Sequence, residues 1–124
     1  MSGAPSPVLR YQFTEIADED IEGILKTSGK RFGPRQREHY AGLIDRAAEM
    51  VAENPQRPGS RDRHDLGAGI RSFHLELAAG RRGAASHILY YLRGRLSDGS
   101  DGVVIARVLH EGMDPTRHLP AELE

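Results

Sequence analysis

The sequence predicts an α+β domain of two layers, in the order β-α-α-β-β-β, with a helical hairpin packed on a mainly antiparallel sheet. Three observations predict it. Two helix-period apolar stripes meet at Gly33-Pro34, one β-type run precedes them, and three more follow between Ile70 and Leu109. Each helix carries a single apolar stripe, so the hairpin has to cover one face of the sheet. Consecutive strands joined by short turns run antiparallel.

The elements follow in order. Residues 1–7 are small residues and proline, expected as a flexible tail. From Val8 to Phe13, Leu9, Tyr11 and Phe13 alternate with Arg10 and Gln12, the period of a first strand. Thr14 offers an N-cap, and Glu15, Asp18, Glu19 and Asp20 load the first turns with the charge that a helix N-terminus favours. Ile16, Ile21, Ile24 and Leu25 form the stripe, and Phe32 extends it past Ser28-Gly29. Gly33-Pro34 ends this helix and begins the next. Tyr40, Leu43, Ile44, Ala47, Met50 and Val51 then recur at spacings of three and four, with Leu43, Ala47 and Val51 facing inward, until Asn54-Pro55 stops the helix.

Pro55 to His64 reads as a polar loop, and Asp65 to Gly69 leads into a strand from Ile70 to Leu77. In that strand Phe73, Leu75 and Leu77 face one way, with Ser72, His74 and Glu76 opposite. Gly80 to Gly83 is a turn. Ser86 to Arg93 and Val103 to Leu109 are strands with apolar residues on both faces, the mark of interior strands, joined by a flexible turn from Gly94 to Gly102. Tyr90 and Tyr91 must point to opposite faces. Residues 120–124 close the chain as a second tail.

A chain of 124 residues is expected to be one domain, residues 1–124, with enough buried surface for its own core. Net charge is −1, so no global basic field draws it to nucleic acid, although fifteen of seventeen basic residues are Arg. Arg61, Arg63, Arg71, Arg81, Arg82, Arg93 and Arg95 suggest a basic band, but Asp62, Asp65, Asp98 and Asp101 interleave with it. Cysteine is absent, which excludes disulfide and thiolate chemistry. No run approaches the ~20 apolar residues of a membrane span, and Met1 to Pro7 has no signal-peptide pattern. The expectation is a cytoplasmic protein.

The densest cluster of chemistry lies just beyond the last strand, where Arg107, His110, Glu111, Asp114, Arg117 and His118 come close together. Arg107 in an apolar strand reads either as a partner for an internal carboxylate or as a direct functional contact. His110 reads as a structural or surface histidine, or as a general base. The turn from Met113 to Leu119 reads as a C-terminal extension anchored by Met113 and Leu119, or as a binding surface. His110, Asp114 and His118 have helical spacing, but Pro115 interrupts a helix there, and without HExxH or cysteine motifs neither a metal nor another cofactor is expected.

Several motifs together resemble the ParE toxins of the RelE/ParE toxin superfamily. They are Thr14 and Ala17-Asp18, Phe32-Gly33, Gln36 and Tyr40, Asn54-Pro55, Gly69 to Phe73 and Tyr90-Tyr91. The most specific are Ile105 to His110, then Met113-Asp114 and His118-Leu119. The resemblance spans Tyr11 to Leu119. It implies the toxin of a type II toxin–antitoxin module that traps DNA gyrase on cleaved DNA and blocks replication. It also implies neutralisation by a ParD-type antitoxin that folds as it binds. No catalytic residue is then expected, nor sequence-specific nucleic-acid binding. Arg71, Tyr91, Arg107, His110, Met113, Asp114, Arg117 and His118 become candidates for contact with target or antitoxin. The alternative is a RelE-like ribosome-dependent mRNA endonuclease, for which Arg71, Arg107 and His110 would be the catalytic set. Such chemistry needs a base, an acid and cations at the phosphate, and only Lys26 and Lys30 are lysines here.

Overall fold

The computed structural model describes residues 9–119. The expectations for the tails at 1–7 and 120–124, and for Val8 as a strand residue, lie outside the described residues. The elements are β1 (Arg10–Phe13), α1 (Glu15–Phe32), α2 (Pro34–Glu53), β2 (Arg61–Asp62), β3 (Arg71–His74), α3 (Glu76–Ala79), β4 (His87–Arg95) and β5 (Asp101–His110), followed by a 3-10 turn at Pro115–Arg117. The sheet order is β1-β5-β4-β3-β2. Only β1 against β5 is parallel, and the other three pairings are antiparallel. The α+β class and the helical hairpin on the sheet are as the sequence predicts.

Thr14 joins three elements. Its Oγ1 accepts from Ala17 N–H at 3.0 Å to cap α1, its hydroxyl donates to Ala106 O at 2.9 Å, and its N–H donates to Ile105 O at 3.0 Å. Gly33, at φ +92°, reverses the chain between the helices. Its N–H closes α1 on Gly29 O, and its carbonyl receives Arg37 N–H. α2 buries Tyr40, Leu43, Ile44, Ala47, Ala48, Val51 and Ala52 against Phe73, Leu89, Tyr91, Val103, Ile105 and Val108 of the sheet. α1 lies shallower. Only Ala17 is buried, Ile21, Ile24 and Leu25 are half-buried, and Ile16 and Phe32 are exposed at the two ends of the stripe.

The opposite face of the sheet holds a second apolar cluster. Tyr90, Ala106 and Leu109 pack there with Leu119 from the chain's end and with Leu66, Ile88 and Leu92. Tyr90 and Tyr91 do face opposite ways, and both are buried. The change of face along β5 comes from a bulge: Tyr90 pairs with Arg107 and Tyr91 with Ile105, leaving Ala106 unpaired.

Three boundaries differ from the sequence reading. The strand expected through Leu77 stops at His74, whose Nδ1 accepts Glu76 N–H at 3.1 Å and starts the turn into α3. Leu77 is therefore exposed rather than aligned with buried Phe73 and Leu75. The polar loop from Pro55 contains β2, whose two exposed residues pair with β3 and carry no apolar signal. The turn from Gly94 is shorter than expected, because β4 and β5 run on to Arg95 and Asp101 and an Arg93–Asp101 ion pair crosses between them. Among the described residues no helix is long and apolar enough to cross a membrane.

Leu43 is 8% exposed and lies in the principal cluster. Leu43→Ala should cost about 2–5 kcal/mol in urea unfolding through lost transfer energy and a residual cavity. A loss below about 0.5 kcal/mol would put this face of α2 outside the core.

Candidate functional site

β1 ends at Phe13, opposite Ile105, so among the described residues the outer edge of β5 has no strand partner beyond that point. Asp20 of α1 fills the gap. Its two carboxylate oxygens accept Arg107 Nε and Nη2 at 2.8 Å each, and Oδ2 also accepts Val108 N–H at 3.0 Å. The remaining arm of the guanidinium, Nη1, donates to His118 O at 2.6 Å and ties down the C-terminal turn. The side chains of Arg107 and Asp20 are 17% and 13% exposed. Of the two readings of Arg107, the geometry supports the partner of an internal carboxylate. The hydrogen bonds that Arg107 donates to Asp20, and the charge of Asp20, hold the guanidinium pKa above its ordinary value, against burial.

Around the last residue of β5 stands a histidine corner. His87 begins β4 and pairs with His110, and the two rings meet edge to face with centroids 5.4 Å apart. Tyr40 of α2 reaches His87, with Oη 2.6 Å from Nδ1, while Ser86 N–H donates to the same oxygen at 3.2 Å. Burial raises the Tyr40 pKa, so the hydroxyl keeps its proton, and we assign that proton to the bond with His87 Nδ1. Nδ1 of His110 accepts Gly112 N–H at 2.9 Å. With Nδ1 accepting in both rings, Nε2 is the nitrogen left to carry the N–H. Beside the corner, His74 Nε2 lies 2.7 Å from Glu111 Oε1, a bond that lowers the Glu111 pKa.

The other candidates are spread over the molecule. Asp114 caps the 3-10 turn, accepting Thr116 N–H at 3.1 Å and the Thr116 hydroxyl at 2.7 Å. Met113, Asp114 and Arg117 are exposed on this turn, and His118 is half-buried. Leu119 is a buried anchor, whereas Met113, which the sequence also offered as an anchor, is not. Arg71 directs Nε and Nη2 at Ser60 Oγ, at 3.1 and 2.7 Å, fastening the loop that follows α2. Tyr91 has no exposed surface, and its hydroxyl donates to Pro55 O at 2.7 Å. As it stands, Tyr91 offers a partner nothing to touch. Among the described residues no three His, Asp or Glu side chains are grouped so as to hold a metal ion.

Sequence reasoning missed Asp20, Tyr40 and His87. Asp20 was legible as helix-terminal charge, although it stands at a stripe position one residue before Ile21, where a carboxylate calls for a buried cation. Tyr40 sat in an apolar stripe, and nothing local links it to His87, 47 residues on.

His87 gives a pH signature. Burial, and next the neighbouring His110, push its pKa down to about 4, against the opposing pull of Glu111 and with a further push from His74. An unfolded histidine titrates near ~6.5. Between these values the unfolded chain binds the extra proton, so this contribution is complete above ~6.5 and falls as pH drops towards 4. Urea midpoints measured across that window should fall with acid in the wild type, and His87→Gln should flatten that part of the slope. An unchanged slope in the variant would mean that His87 is not held neutral by the fold.

Sequence comparisons point to one family. The family described as the ParE toxin of the type II toxin–antitoxin system parDE matches residues 11–115. Toxin ParE1 of Caulobacter vibrioides is 29% identical over 109 residues, covering 88% of this chain and 96% of that protein. Toxin ParE1 of Mycobacterium tuberculosis is 31% identical over 110 residues, covering 89% of this chain and 97% of that protein. The matched region runs from Tyr11 of β1 through β5 and contains the clamp between Asp20 and Arg107 and the histidine corner, and over that length the chain belongs to the ParE toxin family of type II toxin–antitoxin systems.

Proposed function

We propose that this toxin arrests growth by poisoning DNA gyrase in the cytoplasm, trapping the enzyme on cleaved DNA, and that a ParD-type antitoxin neutralises it. The observation that carries this reading is the match to the ParE family across residues 11–115, which includes every proposed contact residue except Arg117 and His118. The toxin acts through surface rather than catalysis. The proposed surface is the corner at the end of β5, where His110 is exposed on the last residue of the strand and Met113, Asp114 and Arg117 on the turn that Arg107 and Leu119 tie down.

The runner-up, RNA cleavage, finds less support. Its three candidate residues would need to surround one phosphate with free cationic groups. Arg71 shares a cross-strand pair with Tyr91 on the helix side of the sheet, and Arg107 pairs with Tyr90 on the other side. Both guanidinium groups are engaged inside the molecule.

Supercoiling by purified gyrase in the presence of this protein is the test. The expected result is inhibition with accumulation of linear DNA. Arg117→Glu, at a side chain 82% exposed, should weaken poisoning at least about tenfold at an unchanged melting temperature. No inhibition at large excess of folded protein would overturn the reading, and messenger cleavage in a translating extract would replace it with the endonuclease.

A further inference from the structure

A cleft of about 500 Å³ opens between the C-terminal half of α1, the start of α2 and the start of β4. That size suits a side chain or a small ligand. His87 and His110 both line it, with Arg31, Gln36 and Phe32 around them. Its polar lining is rich in donors. Both histidines spend Nδ1 as an acceptor within the protein, which leaves Nε2–H as the free polar group of each ring. Arg31 lies over the Phe32 ring, 5.7 Å from its centroid, and no carboxylate of the described residues is within ion-pair distance of it. No Asp or Glu is among the lining residues. Glu111, the nearby acid, is engaged by His74. Phe32 is 66% exposed, the most open large apolar side chain among the described residues.

The geometry points to this cleft as the seat of an acidic side chain of the antitoxin, with its carboxylate taken by His87 and His110 and an adjacent apolar residue laid on Phe32. The inference rests on the antitoxin partnership proposed above. Charge complementarity selects the occupant. The lining supplies donors and the cation Arg31 without a matching acid, and Lys30 adds positive charge beside it in the last turn of α1. An exposed aromatic beside a polar pocket is the usual form of an anchor that a partner buries. The cleft is also kept open by a residue that the fold does not require there. Gly23 is on the α1 wall, its backbone is helical, and a Cβ added to it would meet no atom within 4 Å.

That glycine supplies a variant that leaves the fold intact. Leu favours a helix over Gly, so Gly23→Leu should fold at least as stably while its side chain fills the cleft. The probes are acetyl-Leu-Glu-Phe-amide and its Gln counterpart, titrated into the intact protein and followed by histidine side-chain 1H–15N NMR. The Glu peptide is expected to shift the His87 and His110 signals and to bind at least about tenfold more tightly than the Gln peptide. Gly23→Leu should abolish that binding without lowering the melting temperature. Equal binding of both peptides, unmoved histidine signals at millimolar peptide, or full binding to Gly23→Leu would each overturn the inference. Co-expression with a ParD-type antitoxin separates the two readings. Neutralisation together with any of those failures removes the cleft and leaves the partnership standing. Binding of the Glu peptide without neutralisation overturns the antitoxin as the occupant.

Discussion

The end of the last strand depends on one carboxylate. β1 is too short to cover the whole edge of β5, and past Ile105 the exposed edge would leave Val108 N–H without a partner and the Arg107 guanidinium with His118 O alone. Asp20 supplies both from the adjacent helix. An unpaired polar group at a partly buried edge is costly, and a bidentate Arg–carboxylate pair also fixes orientation. Helix α1 is thereby locked to β5 by charge and hydrogen bonding, which compensates for its shallow apolar contact. The free arm of Arg107 extends the lock to His118 O, and Leu119 is pressed into the second apolar cluster.

The proposed contact surfaces inherit their shape from that lock. The turn carrying Met113, Asp114 and Arg117 is short, capped by Asp114, and anchored at its C-terminal end through His118 O and Leu119. The histidine corner lies at the same end of β5, and its far wall is α1, whose position Asp20 fixes. Target contact and antitoxin contact, as proposed, would therefore both read the placement of one helix against one strand. Arg107, one of the contact candidates in the C-terminal cluster, is held beneath those surfaces by Asp20 and His118 O.

The helical hairpin was legible because Gly33-Pro34, Thr14 and the spacing from Tyr40 to Val51 each act locally. β4 and β5 were legible because two-sided burial leaves continuous apolar runs. The pairing of β1 with β5 was not, since alternation identifies a strand but not its neighbour. β2 carries two exposed residues and no pattern. The early stop of β3 turns on a single side-chain bond, from Glu76 N–H to His74, which competes with a period of two that runs on to Leu77. In the candidate site the C-terminal cluster was visible because its members are close in sequence. Asp20, Tyr40 and His87 were hidden because they reach it only through the fold. Arg71 and Tyr91 carried a family signal, yet in the structure they fasten the loop after α2.

A double-mutant cycle on Asp20→Ala and Arg107→Ala in urea unfolding tests the central claim most directly. If the pair is the lock, each single variant loses about 3 kcal/mol by stranding a partly buried charge. The double variant then loses little more than either one, because both remove the same interaction. Losses below about 0.5 kcal/mol that simply add would contradict the account. They would return Arg107 to the surface as a contact residue.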